Sequence, residues 1–222
     1  MTGNQSYYQW ESSEELTDMF GPIEVRVRRL SMSLIQPVAR SRVTPNMLTV
    51  VGLLLNVLTA VVIGGGYLFA SGVLLLFAGI FDMADGALAR VKDAASEWGD
   101  FLDATLDRLA EASVGLGLLW HALVRHDDLQ VGLIYSVVLG SVMISYARAR
   151  AEVIDIDCGV GVMARPERIV VLAVGLILAQ ATRETALTVI LAVLCLSTYL
   201  TVGQRMVHVY RDLKGTEQSL KG

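Results

Sequence analysis

Long apolar stretches separated by short polar links dominate the chain from about residue 46 onward. A helix needs roughly 20 predominantly apolar residues to cross a bilayer, and the sequence offers six stretches near that length. They are residues 46–66, 68–91, 99–124, 129–152, 167–182 and 185–208. Short links such as Gly64-Gly65-Gly66 predict antiparallel hairpins between neighbouring helices. The pattern predicts an all-α integral membrane protein with six transmembrane helices in residues 43–212.

The chain before the first apolar stretch divides into two parts. Residues 1–22 are polar and acidic and lack the basic start and apolar core of a cleavable signal, so we expect a retained N-terminal extension. Residues 23–42 alternate arginines with aliphatic residues and predict an amphipathic helix on the cytoplasmic leaflet, against lipid phosphates. An ordinary solvated juxtamembrane helix is the alternative. Residues 213–222 are expected to form a C-terminal tail.

Composition and charge placement agree with a membrane protein. Of 222 residues, 54% are hydrophobic and only 18% are charged, and the net charge of -4 argues against nucleic acid as a partner. Lysines and arginines concentrate in the N-terminal segment, in the second and fourth links and at the C-terminus, whereas the opposite side holds only Arg125 and Arg183. By the positive-inside rule, the protein is expected to be a multi-pass protein of the cell membrane with both termini cytoplasmic.

Four aspartates lie inside or beside the predicted membrane helices, where charged side chains are costly and mark functional sites. Asp82 and Asp85 are three residues apart, and Asp103 and Asp107 are four apart, so each pair lies on one helical face. A hairpin turns the two pairs toward each other. Converging carboxylates need cations, and oxygen ligands without nearby His or Cys suit Mg²⁺ or Mn²⁺. Helix capping, or pairing with nearby arginines, is the structural alternative.

These residues resemble the signature of the CDP-alcohol phosphatidyltransferases. The matching positions are Asp82, Asp85, Gly86, Ala89, Arg90, Gly99, Asp103 and Asp107. Eight matches at fixed spacing rarely arise by chance. The family implies that the four aspartates surround two metal ions, which hold the pyrophosphate of a CDP-linked lipid donor. It also implies that Asp107 is the general base and that the active site lies on the cytoplasmic side.

The resemblance also suggests how the donor is bound. Gly86 and Ala89 would let the cytidine pack against the helix, and Arg90 would reach a phosphate. Asn46 and Thr49 resemble the segment of the family that closes over the nucleotide, although a proline-started helix with local capping explains them equally well.

Arg148, Arg168 and Arg205 resemble the basic pocket of actinobacterial-type phosphatidylinositol phosphate synthases, which receives the phosphate of inositol 1-phosphate. The first position is commonly Lys in that subgroup, so Arg148 is a departure. Positive-inside anchoring is the alternative explanation for basic links. Archaetidylinositol phosphate synthases and phosphatidylglycerol phosphate synthases, whose acceptor is glycerol 3-phosphate, would look similar.

The resemblance therefore implies an enzyme of phospholipid biosynthesis, a phosphatidyl transfer from CDP-diacylglycerol to inositol 1-phosphate with release of CMP, and a homodimer among membrane lipids. A membrane transporter is the alternative from another class. It would spread acidic residues along a pathway near mid-membrane, whereas these cluster at one end of the predicted helices.

Overall fold

The computed structural model describes residues 43–92 and 96–219, without the side chains of residues 85, 86, 89–91 and 216–219. Six α-helices account for most of this part of the chain, and no strand occurs in it. They are α1 (Pro45–Gly64), α2 (Leu68–Val91), α3 (Glu97–Val124), α4 (Asp128–Glu152), α5 (Arg165–Ala179) and α6 (Thr185–Ser219). The predicted all-α class is confirmed, and each helix coincides with one predicted apolar stretch. The predicted segments 1–22 and 23–42 lie outside the described residues.

Three helices begin at side chains that accept a hydrogen bond from the first turn, as the sequence chemistry of helix starts requires. Thr44 caps α1, with Pro45 directly after it, and its Oγ1 accepts from the backbone N–H of Met47 at 3.3 Å. Ser96 caps α3 in the same way, and Asp127 caps α4. These caps set where α1 and α3 start, which matters because both helices carry predicted site residues in their first turns.

The six helices pack as a closed ring. Helix α1 contacts α2 and α3, α2 contacts α5, α5 contacts α6, α6 contacts α4, and α4 contacts α3. A central cavity of about 70 Å³ is lined by residues from every helix of this ring. The apolar core around it includes the fully buried Ile63, Leu176 and Leu187. Chain neighbours α2 and α3 are thus separated by α1, although their polar ends meet at the site described below.

Glycines allow two of these helix contacts to be very close. A Cβ atom on Gly117 of α3 would lie 2.4 Å from the carbonyl oxygen of Ala60 in α1. A Cβ atom on Gly72 of α2 would lie 2.7 Å from the carbonyl oxygen of Ala173 in α5. Small residues at such crossings are typical of helix packing in membranes, where backbones approach without bulky side chains between them.

The outer surface of the ring is strongly apolar. Leu54, Val61, Leu116 and Leu196 are each at least 60% exposed, which fits contact with lipid rather than water. Within the described residues, three helices are long and apolar enough to cross a membrane, namely Pro45–Gly64, Asp128–Glu152 and Thr185–Gly215, and Leu68–Ala84 is a shorter apolar helix. Helix α3 falls short because acidic residues occupy its first half, and α5 has only 15 residues. The count of six spans therefore stays a prediction.

Candidate active site

Three of the four predicted aspartates come together at one end of the ring. Asp82 lies near the end of α2, and Asp103 and Asp107 lie one turn apart near the start of α3. Each contributes a carboxylate oxygen to a group whose members are within 4.8 Å of one another. Asp85 lies one turn after Asp82 on α2, with its side chain outside the described part of the structure. The predicted approach of α2 and α3 carboxylates is thus present in the structure.

These carboxylates repel one another and need positive charge nearby. Arg165, at the start of α5, supplies one such charge. Its Nη1 atom lies 2.6 Å from Asp82 Oδ2 and 2.8 Å from Asp107 Oδ2. All three side chains are largely buried, with Asp107 13% and Arg165 15% exposed. Removal of either partner from ion pairs at this depth is costly unless another charge takes its place, because it leaves a buried charge unpaired.

The aspartate group also fits a divalent cation. Its ligands are carboxylate oxygens from two helices, and no His or Cys side chain belongs to the group as far as the described residues go. Hard oxygen ligands of this kind suit Mg²⁺ and Mn²⁺ better than zinc. Asp82, Asp103 and Asp107 are therefore able to hold such an ion together.

The predicted donor-binding residues lie around the same end of the ring. The Nζ atom of Lys92, just after α2, donates to the carbonyl oxygen of Val43 at 2.7 Å, so the end of α2 meets the start of α1. Asn46 Oδ1 lies 3.6 Å from the position of a Cβ on Gly99, at the start of α3. Thr49 is buried, and its hydroxyl donates to the carbonyl oxygen of Pro45 at 3.2 Å, one turn back in the same helix.

The remaining predicted donor residues belong to the last turns of α2. They are Gly86, Ala89 and Arg90. The backbone of this segment is helical through Val91, which keeps Gly86 one turn from Asp82. The side chains of Ala89 and Arg90 lie outside the described part of the structure, so their predicted roles stay predictions.

A second charged group lies one turn further along α3. The two carboxylate oxygens of Glu111 bind different arginines, Arg108 at 2.7 Å and Arg168 at 2.8 Å. Arg168 is almost fully buried on α5, one turn after Arg165. This arrangement connects the helix that carries Asp107 to one of the arginines predicted to bind acceptor phosphate.

The other two predicted arginines have different partners. Arg205 of α6 is largely buried and donates to two backbone carbonyls, of Ile144 at 2.6 Å and of Val160 at 3.0 Å. Arg148 is exposed and pairs with Glu152 on its own helix at 2.9 Å. Arg108 and Arg168 share Glu111 and Arg148 has Glu152, whereas Arg205 pairs with no carboxylate among the described residues. An arginine of this kind attracts anions.

Two residues of the site were not among the predicted site residues. Arg165 belongs to the basic link between the fourth and fifth predicted stretches, and Glu111 belongs to none of the predicted groups. Glu111 could have been found from spacing, because residues 103, 107 and 111 repeat every four positions and share one helical face. Nothing in the spacing of Arg165 indicates which carboxylates it pairs with, because these lie on other helices.

The fold and the site together define a membrane-associated, all-helical enzyme with a carboxylate centre able to hold a divalent cation. Residues 42–206 match the family model for CDP-alcohol phosphatidyltransferase. The chain belongs to the CDP-alcohol phosphatidyltransferase family and is a transferase of phospholipid biosynthesis. The predicted family is thereby confirmed.

Similar proteins agree with this assignment. The chain is 31% identical to the archaetidylinositol phosphate synthase of Methanothermobacter thermautotrophicus, over 91% of this chain and 98% of the relative. It is 34% identical to the phosphatidylinositol phosphate synthase of Corynebacterium glutamicum, over 81% of this chain and 85% of the relative.

Solved structures of one bacterial enzyme share the fold. The phosphatidylinositol phosphate synthase of Mycobacterium tuberculosis with CDP-DAG bound matches with a TM-score of 0.74 and 31% identity, over 82% of this chain and 94% of that one. The same enzyme in complex with manganese and citrate matches with a TM-score of 0.73 and 31% identity, over 81% of this chain and 88% of that one.

Proposed function

We propose that the protein transfers a phosphatidyl group from CDP-diacylglycerol to inositol 1-phosphate, which gives phosphatidylinositol phosphate and CMP. The observation that carries this proposal is the aspartate group of Asp82, Asp103 and Asp107 on helices that meet the arginine-bearing start of α5. Carboxylates can hold the metal ions that bind a pyrophosphate, and arginines can bind the phosphate of an acceptor. The names of the similar enzymes support an inositol phosphate acceptor.

At the donor end we propose that Asp82, Asp85, Asp103 and Asp107 hold two divalent ions, Mg²⁺ or Mn²⁺. Ions bound there would neutralise the charge of the donor pyrophosphate and favour departure of CMP. Gly86 would leave the face of α2 without bulk for the cytidine, and the spacing of Ala89 and Arg90 from Gly86 predicts that they share that face. Asn46 and Thr49 would close the nucleotide site from α1, a role supported by the position of Asn46 beside Gly99 at the start of α3.

The chemical step then needs a base for the acceptor hydroxyl. We assign this role to Asp107, which is largely shielded from water at 13% exposure. Its carboxylate accepts the hydroxyl proton while the acceptor oxygen forms a bond to the phosphorus next to the diacylglycerol. The bond from that phosphorus to the CMP oxygen breaks, and CMP leaves with the electron pair. Positioning and charge neutralisation supply most of the acceleration, since no protein nucleophile is required.

The acceptor phosphate would be bound by Arg168, Arg205 and Arg148. Arg168 is oriented by Glu111, and Arg205 is held by two backbone carbonyls, so both guanidinium groups are preorganised. Arg205 pairs with no carboxylate among the described residues, so its charge favours an anion beside it. Arg148 is paired with Glu152 in an exposed contact, which opens at little cost at a surface and would free its guanidinium for the acceptor phosphate.

We further propose six membrane spans with cytoplasmic termini, an active site on the cytoplasmic side, and a homodimer. The distribution of Lys and Arg along the chain supports the orientation, and the dimer is supported by the family resemblance alone. Reporter fusions at both termini test the orientation, and cross-linking in native membranes tests the dimer.

The deciding experiment is CMP release by detergent-purified protein with Mg²⁺. CDP-diacylglycerol and an ether-linked archaeal analogue serve as donors, because similar enzymes include archaetidyl-transferring ones. Inositol 1-phosphate, free inositol and glycerol 3-phosphate serve as acceptors. Release with inositol 1-phosphate alone supports the proposal. Preference for glycerol 3-phosphate keeps the reaction class and overturns the acceptor, and absence of release with every pair overturns the function.

A further inference from the structure

Arg165 bonds in an unusual way to the carboxylates of the site. A single nitrogen, Nη1, contacts both Asp82 of α2 and Asp107 of α3. Arginine normally uses two nitrogens in parallel on one carboxylate, which is the stronger geometry. The Nε atom of Arg165 is buried and has no hydrogen-bond acceptor among the described residues. The guanidinium thus holds two carboxylates through one nitrogen, which donates a hydrogen bond to Asp82 at 2.6 Å, and its Nε is left unused.

The neighbouring arginine on the same face of α5, Arg168, has a different carboxylate partner. Arg168 lies one turn after Arg165, and its Nη2 atom donates to Glu111 at 2.8 Å. Glu111 is outside the group of carboxylates that can share an ion. Arg165 and Arg168 thus differ in their partners, because only Arg165 contacts carboxylates that are able to hold a metal.

The two carboxylates that Arg165 contacts, those of Asp82 and Asp107, belong to that group. A divalent ion shared by Asp82 and Asp107 needs carboxylate oxygens on both helices, and a guanidinium on the same two side chains opposes it in two ways. It occupies one oxygen of each carboxylate, and it places a positive charge within a few ångströms of the ion in a partly buried site, where charges interact strongly.

We propose that Arg165 is an exchangeable cation of the carboxylate centre, which competes with the divalent ion for Asp82 and Asp107 and is displaced when that ion binds. This inference rests on the metal site of the proposed function but not on its substrates. In this role Arg165 keeps the carboxylates neutralised and the helices α2, α3 and α5 together until metal binds, and it sets the metal concentration at which the enzyme loads.

The test is direct measurement of Mn²⁺ binding to purified protein without substrates, by electron paramagnetic resonance of free Mn²⁺ and by calorimetry. Arg165→Met removes the competing cation and should tighten Mn²⁺ binding by about tenfold or more. Arg168→Met is the matched control, since it removes the same charge from the same helix but from Glu111. It should change the affinity by less than about threefold. Arg165→Lys keeps the positive charge on a shorter side chain, so its affinity for Mn²⁺ should lie between those of Arg165→Met and wild type. This variant provides the test if Arg165→Met does not fold.

Tighter binding confined to the Arg165 variants supports the exchange. Equal or weaker Mn²⁺ binding by Arg165→Met would overturn it and would make Arg165 a fixed part of the site that coexists with the ion. An equal gain in Arg168→Met would also overturn it, because the effect would then be one of general charge. Lack of CMP release by a wild-type protein that binds Mn²⁺ would refute the proposed function and leave this inference standing.

Discussion

The contact between α1 and α3 offers the sharpest test of the packing around the site. Replacement of Gly117 by Ala places a Cβ atom 2.4 Å from the carbonyl oxygen of Ala60, 2.7 Å from its Cα and 2.9 Å from its carbonyl carbon. All three are main-chain atoms, so no side-chain rotation relieves the overlap. The two helices must separate, and α1 and α3 are the helices that carry Asn46, Thr49, Asp103 and Asp107.

The size of the effect follows from the shortfall in distance. Ordinary contact of a Cβ begins at 3.4 Å, so the Ala60 oxygen is about 1 Å too close. Overpacking of this kind costs about 1–3 kcal/mol. For a chain of this length, that loss lowers the midpoint of thermal unfolding by roughly 2–12 °C. We expect thermal melts of detergent-purified Gly117→Ala to show this decrease, and CMP release to fall as the site residues separate.

Gly132→Ala is the matched control. Gly132 lies in α4, is exposed, and has no atom within 4 Å of the position that a Cβ would take. Alanine is favoured over glycine in helices by about 0.5–1 kcal/mol, so this variant should melt at or slightly above the wild-type temperature. If Gly117→Ala melts as high as Gly132→Ala, the close approach of α1 and α3 is wrong.

Three further predictions concern the charged groups. Asp107→Asn keeps the size of the side chain but removes the general base and a metal ligand. It should reduce CMP release by at least about a thousandfold and weaken Mn²⁺ binding, while the circular dichroism spectrum stays unchanged. Wild-type turnover by this variant would refute the assignment of Asp107 as the base. Glu111→Ala leaves the buried Arg168 without its carboxylate, so we expect the free energy of unfolding to fall by about 1–3 kcal/mol. The KM for the acceptor should rise by a larger factor than kcat falls, and Glu111→Gln should be intermediate. An unchanged KM would show that Arg168 does not bind the acceptor. Chelation by EDTA should stop CMP release by the wild-type protein and lower its melting temperature, and added Mg²⁺ should restore both. CMP release that persists in excess chelator would exclude a metal requirement.

The helices and their order could be predicted from sequence because both depend on local properties. Apolar stretches of sufficient length predict helices, and Thr44, Ser96 and Asp127 start them with short polar side chains that bond to the first turn. The aspartate pairs could be predicted for a similar reason, since three- and four-residue spacing places them on one helical face.

The partners of the charged residues could not be predicted in this way. Arg165 pairs with residues 83 and 58 positions away in the chain, and Arg205 donates to the carbonyl of Ile144, 61 positions away. Such pairs depend on which helices become neighbours in the ring, and several rings are compatible with the same six apolar stretches. Only packing selects among them.

The sequence by itself determined the class of protein, its helices, its family and the residues that carry the chemistry, because periodicity and motif spacing express these locally. The tertiary structure decided that α1 lies between α2 and α3, that Glu111 holds Arg168, and that Arg165 contacts two of the carboxylates. These depend on close approaches such as that of Gly117 to Ala60, where the absence of one side chain lets two backbones meet.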